Sequence, residues 1–333
     1  MDEQTAREQV AETGRILLEK RLIARTWGNF SCLLDDGGFC ITPSGLGYES
    51  MTPADVVRYD RRTGNWLGTR LPSSEKGIHA AAYKLLPDTG FVIHTHQIYA
   101  SALGLTGESC LHLNDAQRRA LGGIAWAKYG LPGTDMLRDH VADAMATGAH
   151  SVLMVNHGVL ICGRDRAETI ERVLLLEELC HRSNLGREGA VAHEDASALL
   201  ERARSLYPTA TLVQTEAVLA LAELREPLYA QLDDMAQMIG EHIPAAADAD
   251  DALNLLRTDS AVLLCGVGAL IRGEDADDSE ALRLLTHKAA VAALHCRAAG
   301  QDARLSAEDV LWMRRFYLEK YAGRKNDLGG TYG

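Results

Sequence analysis

Apolar positions change their period several times along this chain, and each change marks an element. From Gln4 to about Ala24 the residues Val10, Ile16, Leu17, Leu18 and Ile23 fall among charges at helical spacing, which predicts an amphipathic opening helix. WGNFSCLLDDGGFCITPSG then alternates in two short runs about a DDGG turn, the pattern of a hairpin, and ends on turn-forming residues. LPSSEKGIHAAAYKLL predicts a helix with serines at its cap and a charged first turn, followed by the short strand FVIHTH. A helix at HVADAMATGA, a strand at SVLMVNHGVLICG and a long helix from Ala167 to about Asn184 continue the alternation. Helices and strands in such alternation predict an α/β fold.

From 183 to 208 the sequence turns polar, charged and Gly-bearing, so a boundary is expected there, with domains at 1–205 and 206–333. Beyond it, SAVLLCGVGALIRGED (260–275) can be laid on HSVLMVNHGVLICGRD (150–165) without gaps, and an apolar helical pattern comes after each segment. This predicts a degenerate partial repeat in which Val267 falls opposite His157. Valine cannot hold a metal, so residues 206–333 are expected to be structural or regulatory.

A chain of 333 residues with 47% apolar content can bury a substantial core. Its net charge of −12, with no concentration of Lys and Arg, argues against a nucleic-acid partner. One phosphate on a small molecule is still within reach, because backbone amides and hydroxyls suffice to hold it. Seven cysteines, odd in number and without a CxxC, point to neither a disulfide framework nor a cysteine zinc site, and suit a reducing cytoplasm. No apolar run approaches the roughly 18 residues of a membrane span, and the charged start lacks a signal-peptide core, so a cytoplasmic protein without a membrane partner is expected.

The candidate chemistry lies in the first region. Side chains alternate along a strand, so His94 and His96 share a face of FVIHTH. Read alone, such a pair is better explained by one half-buried and one solvated histidine. His157, in MVNHGVL before a glycine, could join them, and three nitrogen ligands with an open position suit a catalytic divalent metal. Glu75 stands at the start of the helix that precedes the His94 strand. A carboxylate there is also favoured by the helix dipole alone, and Ser73 and Ser74 would serve as caps as readily as they would bind an anion.

GNFS (28–31), ITPSG (41–45), LPSSE (71–75), HTH (94–96) and NHG (156–158), in that order and at these intervals, resemble the class II aldolase/adducin family, especially its fuculose-phosphate aldolase branch, over residues 5–190. Together with the alternation of elements, the resemblance implies an α/β/α sandwich around a mostly antiparallel sheet. It implies zinc, or another divalent metal, held by His94, His96, His157 and Glu75, with Glu75 also the acid/base once substrate displaces it. Gly28, Asn29, Ser44, Gly45, Ser73 and Ser74 match the family's phosphate cradle. The implied reaction is cleavage of a ketose 1-phosphate to dihydroxyacetone phosphate and an aldehyde without a lysine Schiff base, in a homo-oligomer, usually a tetramer with the pocket between subunits. Leu113 departs from the pattern, standing where that branch places a tyrosine acid. An epimerase of the family would tend to carry Asp at position 75, which argues against that reaction. A methylthioribulose-phosphate dehydratase and a metal-dependent decarboxylase of the same fold stay open, as does a non-catalytic adducin-like module, which ranks low for the first domain because its ligands are all present.

Overall fold

The computed structural model describes residues 1–186 and 195–319. The chain divides after Ser183 into two compact units. In the first, α1 (Glu3–Glu19) is capped by Asp2, whose carboxylate accepts from the Thr5 amide. It ends before the expected Ala24 because Arg21 takes a left-handed backbone, with φ 56°. The predicted hairpin comes next as β1 (Asn29–Leu33) and β2 (Phe39–Ile41), then β3 (Val57–Tyr59) and β4 (Trp66–Leu67). After these run α2 (Lys76–Leu85), β5 (Phe91–Thr95), α3 (Ile98–Gly104), α4 (Asp115–Ala120), β6 (Ile124–Ala127) and α5 (Asp135–Met145). The apolar run expected as one strand is two, β7 (Ser151–Met154) and β8 (Gly158–Gly163). Asn156, at φ 61°, turns the chain between them, a conformation that asparagine tolerates better than the valines around it. The long helix α6 (Arg166–Ser183) closes the unit.

These eight strands form one sheet in the order β4-β3-β2-β1-β5-β8-β7-β6, antiparallel except where β6 lies beside β7. Alternation along β5 sends Phe91 and Ile93 to a core made with α1, α3 and α6, including Val10, Leu17, Leu103 and Leu176. Val92 points the other way, into a core with Ile78, Ala82 and Tyr83 of α2 and Leu137 and Val141 of α5. The result is the expected α/β/α sandwich. His94 has the parity of Val92 and emerges on the α2 side, directly opposite Asn29 of β1.

The second unit contains α7 (Ser197–Leu206), β9 (Thr211–Val213), α8 (Glu216–Ala222), β10 (Leu228–Tyr229), α9 (Asp233–Met238), β11 (His242–Ile243), β12 (Ala245–Ala246), α10 (Ala249–Leu255), β13 (Ala261–Leu264), β14 (Gly268–Ile271), α11 (Ala276–Ala298) and α12 (Ala307–Tyr317). Its main sheet, β12-β13-β14-β9, repeats the order and sense of β6-β7-β8-β5, including the parallel first pair. Register matches as well. Leu264 faces Gly268 as Met154 faces Gly158, and Val213 faces Ala269 as Thr95 faces Val159. Gly266, at φ 73°, replaces Asn156 in the turn.

The repeat reaches further back than the two matching strand segments indicated. Both α2 and α7 are ten-residue helices, and each leads through a proline, Pro87 or Pro208, into the corresponding strand. Their N-cap residues share a backbone conformation: Glu75 has φ −97° and ψ 14°, Ala196 φ −102° and ψ 17°. Leu199 and Ala203 of α7 pack with Leu256 and Leu270 in the core of the second unit. The helix placed ahead of the expected boundary at 205 thus belongs to the second unit, and its charged outer face is what made the segment read as a linker.

Candidate metal and carboxylate site

Two segments of the first unit deliver three imidazoles to one point. His94 comes from β5, His96 from the residue just beyond that strand, and His157 from the turn between β7 and β8. Their ligand nitrogens all lie within 4.8 Å of one another. His94 and His157 stack with ring centroids 4.9 Å apart, and His96 stands edge-on to both. Gly158 makes this packing feasible. A Cβ there would sit 2.5 Å from the Thr95 carbonyl oxygen and 3.3 Å from carbons of both His94 and His96. Among these rings only His96 is partly exposed, so the cluster opens on its side.

The protonation pattern suits a cation. His94 Nδ1 lies 2.8 Å from the Val159 carbonyl oxygen and must donate to it, so Nε2 is the nitrogen turned toward the cluster, where it takes up either a proton or a cation. That nitrogen lies 3.0 Å from His96 Nε2. Two ring nitrogens at this distance repel unless a proton or a metal ion stands between them. Glu75, the N-cap of α2, completes the group: Oε1 is 2.9 Å from His157 Nε2 and Oε2 3.3 Å from His94 Nε2. Burial alone would raise its carboxyl pKa, but the charges of His94 and His157 and their hydrogen bonds outweigh burial and hold it well below the ordinary value. Three nitrogens and one carboxylate form a donor set suited to zinc or a similar divalent ion.

The six residues matched to a phosphate cradle come from three adjoining backbone segments. Thr42 N donates to the Phe30 carbonyl (3.1 Å), Ser73 N to the Thr42 carbonyl (3.1 Å), and Ser44 N to the Leu71 carbonyl (2.8 Å), so 28–29, 44–45 and 73–74 are brought alongside one another. Gly28, at φ 100°, leaves no space for a side chain, since a Cβ would lie 2.6 Å from the His94 carbonyl oxygen. Gly45, at φ 75°, is likewise left-handed. Ser44 Oγ is buried and makes no hydrogen bond among the described residues, and Ser74 is exposed. Ser73 Oγ accepts from the Glu75 amide at 3.2 Å, a local turn at the start of α2. The Asn29 side chain is engaged elsewhere, with Nδ2 donating to Glu75 Oε2 at 2.7 Å.

Sequence reasoning passed over the residues behind Asn29. His79 Nε2 lies 2.5 Å from Asn29 Oδ1, and its Nδ1 lies 2.7 Å from Ser31 Oγ, which in turn is 2.8 Å from the Tyr83 hydroxyl. Burial, with a smaller contribution from His94, pushes the His79 pKa down to about 3 and keeps the ring neutral. The available signal was a histidine and a tyrosine four residues apart on the apolar face of one helix. Leu113 packs against the core shared by α1, α3 and α6 and offers no proton.

The Class II Aldolase and Adducin N-terminal domain family matches residues 8–183, ending with the first unit. L-fuculose phosphate aldolase of Escherichia coli K12 is 33% identical over 166 residues, which span 49% of this chain and 74% of that protein. The 3-oxo-tetronate 4-phosphate decarboxylase of Haemophilus influenzae is 29% identical over 190 residues, spanning 54% of this chain and 86% of that protein. Among solved structures, YgbL of Klebsiella pneumoniae, whose description leaves its reaction among aldolase, epimerase and decarboxylase, aligns with TM-score 0.51 at 25% identity over 55% of this chain and 89% of its own.

Proposed function

Because the chain belongs to the class II aldolase and adducin family, we propose that its first unit is a metal-dependent carbon–carbon lyase acting on a ketose 1-phosphate, releasing dihydroxyacetone phosphate and an aldehyde. The observation that carries this reading is the convergence of the Glu75 carboxylate with His94, His96 and His157 at a partly open cluster. Zinc, or another divalent cation, held by these residues supplies Lewis-acid stabilisation of the negative charge that develops on oxygen as the bond breaks. In this reading the phosphate is met by the hydroxyls of Ser44, Ser73 and Ser74 and the backbone amides of Gly28, Gly45 and Ser74, among them the Ser44 Oγ that no described protein group satisfies. Glu75 moves the proton on the reacting carbon, and Asn29 holds its carboxylate in place. Complete retention of the imidazole and carboxylate set argues against a non-catalytic module. A homo-oligomer, the tetramer of the resemblance, belongs to the same reading and is checked by light scattering.

One observation favours a second reading. Leu113, a partly buried hydrocarbon side chain, cannot act on the aldehyde side of an aldol cleavage, whereas loss of carbon dioxide from a 3-oxo acid phosphate needs no such group. A panel of ketose 1-phosphates, methylthioribulose 1-phosphate and a 3-oxo-tetronate phosphate, assayed with and without chelator and with products identified, separates cleavage, dehydration and decarboxylation. Cleavage is expected, lost on chelation and reduced roughly 10²- to 10⁴-fold by Glu75→Gln. Carbon dioxide release would promote the second reading, and no metal-dependent turnover of any compound would overturn both.

A further inference from the structure

Hydrogen-bond directions behind Glu75 are fixed by elimination. A carboxylate can only accept, so the Asn29 group facing Glu75 Oε2 at 2.7 Å is its NH₂, and Oδ1 must face His79. His79 Nε2, 2.5 Å away, must then carry the hydrogen. A neutral imidazole has one N–H, so Nδ1 accepts, and Ser31 Oγ–H donates to it at 2.7 Å. With its hydrogen committed, Ser31 Oγ accepts from the Tyr83 hydroxyl at 2.8 Å. All five residues are buried, so water does not compete for these bonds.

We propose that His79 is a positioning residue: as the Nε2–H tautomer it holds the Asn29 amide in the one orientation that keeps the Glu75 carboxylate aimed at the metal cluster, with Ser31 and Tyr83 locking the ring. The second unit supplies an internal control. Where α7 carries Ala196 at the Glu75 position, it has Leu200 for His79 and Arg204 for Tyr83, while the packing residues Ile78 and Ala82 persist as Leu199 and Ala203. The relay is missing where its carboxylate is missing, although the helix and its apolar contacts remain. A histidine serving only to fill the core would have had the same reason to stay as its neighbours.

This inference rests on the role given to Glu75, so its test includes a measurement independent of turnover. In the metal-free full-length protein, long-range ¹H–¹⁵N correlation should show His79 neutral, protonated at Nε2 and bare at Nδ1. An Nδ1–H tautomer would overturn the proposal even if the enzyme is active. Cobalt(II) loading provides the second readout. The visible spectrum of His79→Leu should shift to that of Glu75→Gln with three-histidine binding retained, and His79→Gln, which keeps an N–H for Asn29, should stay near wild type. With the substrate found active, His79→Leu should lower kcat roughly 10- to 100-fold with little change in KM, and Ser31→Ala and Tyr83→Phe should lower it by progressively less. A His79→Leu protein with the wild-type cobalt spectrum would defeat the proposal while leaving the lyase reading intact. Should His79→Leu fail to fold, the Ser31→Ala and Tyr83→Phe pair decides: no effect from either sinks the relay.

Discussion

The two units share a sheet order, a register and a turn, yet four side chains separate a candidate metal site from an apolar core. Glu75, His94, His96 and His157 of the first correspond to Ala196, Leu212, Gln214 and Val267 of the second. In the second unit Leu212 and Val267 pack into a cluster with α7 and α10, and Gln214 Nε2 donates to the Val267 carbonyl at 3.1 Å. The residues that differ are ones that pack poorly as a core: four polar side chains gathered at one point require an ion or a proton to reconcile them. The second unit resolves the same geometry with three apolar side chains and one amide that bonds to the backbone. Buried charge is present there too, with Lys288 Nζ 2.6 Å from Asp234 Oδ2 and the Met235 amide donating to Asp234 Oδ1. Scaffold and chemistry are therefore separable in this fold.

The strongest way to break that comparison is to exchange residues between the units. His157→Val gives the first unit the second unit's side chain and should weaken cation binding by more than the roughly 100-fold typical of losing a supporting contact, with the metal-free protein still folded. Titration calorimetry with zinc measures it. Val267→His should gain no cation site, because Ala196, Leu212 and Gln214 remain. Tight binding by that single variant would show the correspondence to be mistaken.

A smaller effect tests the shared scaffold. A Cβ at Gly158 would lie 2.5 Å from the Thr95 carbonyl oxygen, and one at Gly268 would lie 2.5 Å from that of Val213. Each alanine variant should destabilise its own unit by ~1–3 kcal/mol in a urea titration, and only Gly158→Ala should also disturb zinc binding. Gly268, at φ 101°, adds backbone strain that Gly158 lacks, so the larger loss is expected in the second unit, and the reverse order would mean that the turns are not equivalent.

The mildest perturbation is pH. His79, lowered by burial from 6.5 to about 3, binds its proton in the unfolded chain before it does so in the native one. Its contribution to stability is therefore complete above pH 6.5 and lost as pH falls towards 3, with a slope of up to about 1.4 kcal/mol per pH unit. His295 of the second unit, also lowered by burial, adds a loss of the same sign. In metal-free protein, His79→Gln should flatten the dependence and leave only the remainder. Identical slopes in the variant and wild type would refute a buried neutral His79.

Much of this architecture was legible because local rules and tertiary demands agree. The DDGG turn, the FVIHTH strand and the long helix after residue 166 each carry a period or punctuation that nothing in the fold overrides. The repeated strand-turn-strand pattern was visible because its turns and strands kept their spacing. Other features were hidden for physical reasons. SVLMVNHGVLICG is apolar on both sides of its turn because both strands are buried on both faces, so periodicity could not divide it, and only Asn156 marked the break. The start of the repeat was masked by charges on the outer face of α7. His79 looked like an ordinary member of an apolar helix face, since its partners lie on a strand far away in sequence and only the folded sheet brings Ser31 and Asn29 beneath it.

One contact sets a length scale for whatever this unit holds. With the His94 carbonyl where a Gly28 side chain would begin, the segment bearing two imidazoles and the loop opening the hydroxyl-lined rim are pressed together, backbone against backbone. Neither can slide without the other. In the proposed reading, the distance from a cation at the histidines to an anion at the rim starts from this main-chain contact, which acts as a calliper on the number of bonds between a guest's phosphate and its reacting oxygens.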